Sequence, residues 1–277
     1  MKDRVVIVTG PTSGVGLEIA AQLAAAGATL ILGCRDVQKG AATAEAIGRR
    51  TGAKRLSVLH VDTSSQSSIR DFAGRVKSTC ARLDVLINNA GVYLPERQRS
   101  ADGLELTLAT NVLGYHLLTR ELLDLLKASA PARIINVAST FAFGLDLDDL
   151  QFERRTYFGA RAYAQSKACN RVLTWALSRR LAQSRVTANA MSPGLIVTGL
   201  YRDTSPLYRL MLRGIGTVYR RNAARGADTA AWLASSPEVA TVNGRFFLDR
   251  QEIRCRFRDR AVEERLWAIC AGLVGAG

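Results

Sequence analysis

Tyr163 and Lys167 lie four residues apart in the segment Tyr163-Ala164-Gln165-Ser166-Lys167. A phenol is a poor acid near neutral pH, with a pKa of about 10, but a nearby ammonium favours the phenolate and lowers that pKa. Residues four apart on a helix share one face, with Cβ atoms about 5–6 Å apart. The spacing therefore predicts a lysine-assisted tyrosine that exchanges a proton with a carbonyl or alcohol oxygen.

A glycine-rich turn follows the first apolar run, with glycines at positions 10, 14 and 16. Residues without a Cβ allow the backbone to approach a pyrophosphate, whose charge the amides of the following helix N-terminus would meet. The turn therefore predicts a dinucleotide site, although three glycines after a strand could also form only a tight turn. The predicted cofactor contacts here are Gly10, Thr12, Ser13, Gly14, Val15 and Gly16.

Arg35 and Asp36 directly follow the second predicted strand. In a dinucleotide-binding fold this position lies beside the adenosine ribose, where an acidic side chain selects a free 2′-hydroxyl and a guanidinium fits a 2′-phosphate. Arg35 therefore favours NADP(H), while Asp36 keeps NAD(H) open as the less favoured cofactor. A surface arginine without a ligand is the alternative.

Polar groups also follow the third and fourth predicted strands. Asp62, next to Thr63, could accept a hydrogen bond from an adenine amino group or could cap the following helix. Asn89, Ala90 and Gly91 end the fourth strand and suit either a support of the sheet or a wall against the cofactor. Open α/β sheets bind ligands at the carboxyl ends of their strands, so we expect both groups near the ligand crevice.

Short apolar runs alternate with segments of helical period, which is typical of a parallel sheet covered by helices on both faces. The predicted strands are 4–8, 29–32, 56–61, 85–88, 133–137, 186–190 and 245–248, and the predicted helices are 15–26, 67–80, 104–127, 161–183 and 227–233. Two irregular segments, 141–159 and 199–226, each follow a strand, and the second could close over a substrate as a lid. We expect one α/β domain over residues 1–277, a doubly wound sheet of about seven parallel strands.

Several motifs, in the same order along the chain, resemble the classical short-chain dehydrogenase/reductase family from Thr9 to about Asp249. The glycine turn matches T-G-x-x-x-G-x-G, Asn88 to Gly91 match N-N-A-G, and Tyr163 to Lys167 match Y-x-x-x-K. The segments that begin at Gly33, Thr110 and Tyr163 look most like the retinol-dehydrogenase-like branch. The resemblance implies a Rossmann-type NAD(P)-binding domain.

The same resemblance implies a catalytic tetrad of Asn111, Ser139, Tyr163 and Lys167. Tyr163 would be the general acid in reduction and the general base in oxidation, while Ser139 would hold and polarise the substrate oxygen. Lys167 would lower the pKa of the tyrosine and bind the nicotinamide ribose, and Asn111 would fix a water in the proton relay. Further cofactor contacts would be Asp62, Thr63, Asn89, Ala90, Gly91, Tyr163, Lys167, Pro193, Gly194, Val197 and Thr198.

These observations predict an NADP-preferring oxidoreductase that interconverts a ketone or aldehyde with an alcohol. The branch implies a bulky apolar substrate. A reductase of conjugated C=C bonds and a non-catalytic NADP-binding sensor are the alternatives. A sugar-nucleotide epimerase or dehydratase uses a similar Tyr/Lys pair but usually needs a larger C-terminal domain than the roughly hundred residues that follow Lys167.

Composition narrows the protein class further. Hydrophobic residues make up 48% of the 277, which is ample for a buried core, and no apolar run reaches the eighteen or more residues of a membrane span. The first apolar strand begins almost at once, which leaves no room for an export leader. Five cysteines without paired spacing indicate reduced thiols. We therefore expect a cytoplasmic protein without a metal site.

Charge and family suggest the partners. The chain carries 38 basic and 24 acidic side chains, a net charge of +14, and such a field attracts polyanions. Specific nucleic-acid binding is not expected, because the basic clusters lack interleaved aromatic residues and the sequence has no zinc-finger, RNP or zipper pattern. We expect an acidic protein partner, such as a carrier protein that presents the substrate, with a solvated basic surface or anionic lipid headgroups as the alternatives. By analogy with the family we also expect a homodimer or homotetramer paired through the helices of Asn111 and Tyr163.

Overall fold

The computed structural model describes residues 1–194 and 223–275. Within these ranges one sheet is formed, with strand order β3-β2-β1-β4-β5-β6-β7-β8. The strands are β1 Val5–Thr9, β2 Thr29–Cys34, β3 Leu56–His60, β4 Val85–Asn88, β5 Ala132–Val137, β6 Val186–Met191, β7 Phe246–Leu248 and β8 Gln251–Glu252. The first seven are mutually parallel, which confirms the predicted sheet.

The eighth strand was not predicted. β8 pairs antiparallel with β7 across Asp249 and Arg250, whose φ angles are both positive, at 52° and 62°. Two central residues with positive φ are typical of a tight hairpin turn, and glycine or asparagine usually occupies such positions. Because neither glycine nor asparagine is present here, the hairpin could not be recognised from the turn residues.

Helices cover both faces of the sheet. They are α1 Gly14–Ala25, α2 Val37–Thr51, α3 Gln66–Thr79, α4 Leu106–Leu108, α5 Gly114–Ala128, α6 Gly159–Arg180, α7 Ala223–Ser235 and α8 Arg260–Leu273, and a π-helical segment, Ala109–Leu113, joins α4 to α5. One core layer packs the sheet against α1 and α7, and the other packs it against α3, α5, α6 and α8. α2 and α8 lie outside the predicted set.

The order of the strands reverses between β1 and β4. β1 pairs with β2 on one side and with β4 on the other, so the connections run in opposite directions from this point. Helices diverge on either side of such a point and leave a crevice at the carboxyl ends of the strands. The ends of β1 at Thr9 and of β4 at Asn88 therefore border the expected ligand crevice.

Other expectations are answered only in part. The segment between β5 and α6 is irregular, as predicted, and most of the predicted lid at 199–226 lies outside the described residues. None of the helices in the described ranges has the length and apolarity needed to cross a membrane. The same ranges contain no group of three His, Cys, Asp or Glu residues arranged to hold a metal.

Candidate active site

The turn between β1 and α1 has the backbone shape that its glycines allow. Gly10 and Gly14 have φ angles of 64° and 57°, in the left-handed region that glycine favours. A Cβ on Gly16 would lie 2.2 Å from the carbonyl oxygen of Gly10, so only glycine fits there. Ser13 makes no side-chain cap on α1, and the first turn of that helix has no acidic residue. The helix N-terminus is therefore suited to an anion.

Thr9 and Asn89 fix this turn against the end of β4. Thr9 Oγ1 accepts hydrogen bonds from the backbone amides of Asn89 and Ala90, at 2.9 and 3.1 Å. Asn89 Nδ2 donates to the carbonyl oxygens of Thr9 and Gly10, at 2.8 and 3.1 Å. Asn89 and Ala90 thus support the glycine turn, one of their two predicted roles. The part played by Thr9 was not predicted, although it directly precedes the first glycine.

The side chains after β2 have different surroundings. Asp36 is the N-cap of α2, where its carboxylate accepts a hydrogen bond from the Lys39 amide at 2.9 Å and lies 3.1 Å from Lys39 Nζ. The hydrogen bond from the Lys39 amide is the largest of the interactions that lower the pKa of Asp36. Arg35 is exposed and has no hydrogen bond or ion pair among the described residues. Its guanidinium is therefore open to a ligand, whereas the carboxylate of Asp36 is engaged.

Asp62 and Thr63 lie in the turn after β3. Asp62 Oδ1 accepts hydrogen bonds from the amide and the hydroxyl of Ser64, at 2.8 and 2.7 Å. Ser65, not Asp62, is the N-cap of α3, so the capping alternative for Asp62 is wrong. Asp62 Oδ2 accepts no hydrogen bond within the described part of the chain. Thr63 is buried.

Asn111 lies in the π-helical segment and is fully buried. Its Oδ1 accepts a hydrogen bond from the Val92 amide at 2.8 Å, and its Nδ2 donates to the Val92 carbonyl and to Ser166 Oγ, each at 3.0 Å. A Cβ on Gly91 would lie 3.3 Å from Asn111 Oδ1 and 3.7 Å from Lys167 Nζ. Asn111, Gly91 and Lys167 are thus neighbours, and one asparagine links the chain after β4 to the helix α6.

Lys167 carries its ammonium into the interior. The residue is 3% exposed, and Nζ donates to the Val137 carbonyl at 3.0 Å. No carboxylate in the described ranges pairs with it, and burial lowers its pKa from 10.5 to about 7. The hydroxyl of Tyr115 lies 3.5 Å from the same carbonyl, and its burial raises the pKa of that phenol well above 10.0. The contact of Tyr115 was not predicted, although it follows Asn111 by one helical turn.

Tyr163 is half-buried on the first turns of α6. Lys167 Nζ lies 5.6 Å from the centre of its ring, and the ring of Tyr93 lies 6.0 Å away, centre to centre. The predicted pair therefore shares one helix face, with the cation close to the phenol. Of the two side chains, the tyrosine is the more exposed.

Ser139 follows β5 and is only partly buried. Its Oγ accepts a hydrogen bond from the Phe141 amide at 3.0 Å, so the hydroxyl proton remains available for an acceptor. The carbonyl oxygen of Ser139 accepts a hydrogen bond from Arg171 Nη2. Two side chains of α6 therefore donate hydrogen bonds to carbonyls at the end of β5 and just after it: Lys167 to Val137, and Arg171 to Ser139.

The predicted contacts after β6 are described only in part. Gly194 has a φ of 79°, and its amide donates to Ser192 Oγ at 3.2 Å. Pro193 precedes it at the end of the described range. Val197 and Thr198 lie outside the described residues.

A dinucleotide fits the residues that are present. The cradle of Gly10 and Gly16, the uncapped start of α1 and the unpaired guanidinium of Arg35 could meet phosphate groups, and they lie at the ends of β1 and β2. The buried ammonium of Lys167 donates to the Val137 carbonyl at the end of β5 and lies 5.6 Å from the ring centre of the half-buried Tyr163. Such an arrangement can hold an anionic cofactor beside a proton donor.

The chain is similar to known proteins over most of its length. A family model described as short chain dehydrogenase matches residues 4–207. Human retinol dehydrogenase 13 is 40% identical over 98% of this chain and 85% of its own length, and human retinol dehydrogenase 14 is 36% identical over 99% and 87%. The crystal structure of an uncharacterized protein from Mycobacterium Paratuberculosis aligns with a TM-score of 0.79 at 32% identity, covering 99% of this chain and 94% of that one. A Pseudomonas aeruginosa RhlG/NADP active-site complex aligns with a TM-score of 0.73 at 26% identity, covering 89% and 94%.

Proposed function

Because the chain belongs to the short-chain dehydrogenase family, and to its retinol-dehydrogenase-like branch, we propose that it uses NADP(H) to interconvert a bulky apolar aldehyde or ketone with its alcohol. Oxidoreduction between CH–OH and C=O is the chemistry of this family and of the matched relatives. The observation that carries the proposal is the buried ammonium of Lys167, with which no carboxylate pairs within residues 1–194 and 223–275, close to the half-buried ring of Tyr163.

Tyr163 is the proton donor in the direction of reduction. When bound, the nicotinamide cofactor supplies the hydride that the carbonyl carbon receives. The phenol gives its proton to the carbonyl oxygen, and the positive charge of Lys167 favours the phenolate that remains. In oxidation the same phenolate removes the alcohol proton.

Ser139 holds the substrate oxygen. Its Oγ already accepts a hydrogen bond from the Phe141 amide, so its own proton points elsewhere and can be donated to the carbonyl oxygen. A donor that is oriented before the reaction stabilises the charge that develops on that oxygen. Ser139 and Tyr163 then act on one atom from two elements, the end of β5 and the start of α6.

Asn111 binds the water through which Lys167 exchanges protons with solvent. Both protons of its amide are engaged, at Val92 and Ser166, while Oδ1 accepts one hydrogen bond from the described part of the chain and has a second lone pair for a water. The water of the proposed relay would bind there, beside Gly91 and Lys167. Lys167, whose pKa is about 7, is able to pass a proton in either direction near neutral pH.

NADP(H) is the proposed cofactor because of the contrast between Arg35 and Asp36. The guanidinium of Arg35 is exposed and unpaired among the described residues, and a guanidinium matches a phosphate in geometry and charge. The carboxylate of Asp36, which would select a 2′-hydroxyl, is occupied as the cap of α2. The remaining contacts follow the family, namely Gly10 to Gly16, Asp62 to Thr63, Asn89 to Gly91 and residues 193–198.

The experiment uses purified protein with NADPH and a panel of aldehydes and ketones. Retinaldehyde is the first probe, because the relatives are retinol dehydrogenases, and nonanal and a cyclic ketone complete the panel. We expect NADPH oxidation with formation of the alcohol, identified by NMR. Saturation of a C=C bond with an intact carbonyl would indicate the alternative reductase. NADPH binding without turnover of any probe would indicate the non-catalytic sensor.

The partners and the location remain predictions. A homodimer or homotetramer, an acidic carrier protein, a cytoplasmic location and a lid within 199–226 are consistent with the family and with the net charge of +14. Helix α8 restricts where a second copy of the chain could pack. It packs on α6, and its Trp267 contacts His116 of α5, with ring centres 4.6 Å apart. Pairing through α5 and α6 must use the surface that α8 leaves open.

A further inference from the structure

Arg171 is a buried cation on the catalytic helix that the proposed reaction does not use. It follows Lys167 by one turn of α6 and is 7% exposed. Its Cζ lies 3.8 Å from the centre of the Phe246 ring, and no carboxylate pairs with it in the part of the chain that the structure describes. Burial lowers the pKa of its guanidinium. A buried charge without an ionic partner is destabilising, so packing alone does not explain an arginine at this position.

The polar contacts of Arg171 converge on the chain next to Ser139. Nη2 donates to the Ser139 carbonyl, while Nη1 lies 3.9 Å from Cys255 Sγ and Nε has no partner among the described residues. The backbone amides of the two residues that flank Ser139 are held by the last residue of β6 and the residue after it: the Ala138 amide donates to the Met191 carbonyl at 2.8 Å, and the Thr140 amide donates to Ser192 Oγ at 3.1 Å. Arg171, on α6, donates the hydrogen bond that holds the Ser139 carbonyl.

We propose that Arg171 is a positioning residue that fixes the peptide of Ser139, so that the Ser139 hydroxyl faces the substrate oxygen. The inference rests on the proposed role of Ser139. Its physical basis is the directional hydrogen bond of a planar guanidinium, whose orientation is itself set by the Phe246 ring. A donor displaced by about 1 Å can lower a rate by about 100-fold.

The first test separates positioning from packing by comparing stability with activity. Methionine is apolar and of similar length, so Arg171→Met should unfold at the same or a higher urea concentration than the wild type. Its kcat for retinaldehyde should nevertheless fall by about 10- to 100-fold, with an unchanged Kd for NADPH. Arg171→Lys should restore part of kcat, because an ammonium can still donate to the carbonyl. The matched control is Arg180→Met. Like Arg171, Arg180 lies on α6, but it is exposed and pairs with Glu264 of α8, so this variant should keep full activity.

The second test is a double-mutant cycle with Ser139→Ala. If Arg171 acts through Ser139, then Arg171→Met should cost less than about 2-fold in kcat once the hydroxyl is absent. An equal loss in both backgrounds would contradict the proposal, and so would full activity of Arg171→Met. A fall in stability that parallels the fall in kcat would assign Arg171 to packing instead.

A crystal structure of Arg171→Met tests the same inference without any turnover. We expect the Ser139 peptide to move or to become disordered, while it stays in place in Arg180→Met; an unmoved Ser139 would overturn the proposal. This readout is independent of the proposed function. Full activity of Ser139→Ala would remove the role of Ser139 in catalysis, but the position of its peptide would still report on Arg171.

Discussion

The ammonium of Lys167 is the most unusual charge among the described residues. It is 3% exposed, and within the described residues it donates to a backbone carbonyl rather than to a carboxylate. Proteins retain such groups at sites where a perturbed pKa serves chemistry. For a lysine, desolvation disfavours the charged form, which brings the pKa to about 7 and allows proton exchange at neutral pH.

This burial predicts a pH-dependent stability. The folded pKa of Lys167, about 7, lies below its unfolded value of 10.5, so the unfolded state binds more protons between these values and stability rises with pH across this window. Lys167→Met removes the cost of burying the charge. Without cofactor, the variant should therefore exceed the wild type in unfolding free energy by roughly 4 kcal/mol near neutral pH and below, and by progressively less as the pH rises towards the unfolded pKa.

Urea denaturation at about pH 6.5, 8 and 9.5 measures this difference directly. Lys127→Met, at an exposed position of α5, is the control and should show no such trend. A stability difference that stays constant over this pH range would mean that Lys167 is not desolvated as described.

Arg35 makes the cofactor preference testable at a single residue. A hydrogen bond to a charged group contributes about 1.5–3 kcal/mol, so Arg35→Ser should raise the KM for NADPH by about 10- to 100-fold and leave the KM for NADH nearly unchanged. Arg49→Ser removes an exposed arginine that pairs with Glu45 and is the control. An equal effect of Arg35→Ser on both cofactors would place the 2′-phosphate elsewhere.

Among the elements, the turn from β1 to α1 leaves no room for a Cβ at Gly16. Gly16→Ala would bring a Cβ to 2.2 Å from the Gly10 carbonyl and 2.4 Å from Asn89 Nδ2, so the turn must shift. We expect NADPH binding to weaken by at least about 10-fold, as measured by fluorescence titration. Gly74→Ala on α3 is the matched control, because its Cβ would meet no atom within 4 Å; it should retain binding and gain about 0.5–1 kcal/mol of stability.

The sheet was predictable because a strand buried on both faces reads as a continuous apolar run. All seven parallel strands were found within a few residues of their ends. α2 was missed because small residues form much of its buried face: only Gly40 and Ile47 are buried, with Ala44 partly buried beside them, so the apolar stripe is weak. The π-helical segment was not distinguished from the rest of the predicted helix 104–127. Its hydrogen bonds span five residues instead of four, but the spacing of apolar residues along the sequence is almost the same as in an α-helix.

For the site, motif spacing identified the side chains but not their supports. Tyr163, Lys167 and Asn111 were proposed because their spacing is local or matches a family motif, and the structure brings them together. Thr9, Tyr115 and Arg171 were not predicted, since each makes a contact with a distant part of the chain that spacing does not encode. Long-range hydrogen bonds of this kind follow from the packing of strands and helices, which only the folded structure reveals.

At the scale of the whole molecule, α8 completes the core on one face of the sheet. Leu266 and Cys270 are fully buried against α6, and Arg70 and Arg120 bind carbonyls at the end of the helix, those of Val274 and Gly275. α8 therefore covers helices that carry the proposed catalytic residues. Substitutions that weaken the packing of α8 should lower the free energy of unfolding more than they lower the reaction rate.

Leu266→Ala tests that contribution. Removing a buried leucine side chain typically costs about 2–5 kcal/mol through lost burial and the cavity left behind, and the protein should be destabilised by this amount in urea denaturation. Glu264 lies on α8 like Leu266, but at the surface, where it pairs with Arg180 of α6. Glu264→Ala should therefore cost at most about 1 kcal/mol of stability. Equal effects of the two substitutions would mean that α8 is not part of the core.

The central claim is that the Tyr163 hydroxyl is the proton donor, and Tyr163→Phe removes that hydroxyl alone. The direct measurement pairs the Kd for NADPH with the single-turnover rate of retinaldehyde reduction in the same preparation. We expect the Kd to stay within about 3-fold of the wild type and the rate to fall by at least about 1,000-fold, because proton transfer loses its donor. A variant that binds NADPH and still reduces the carbonyl at a comparable rate would contradict the account.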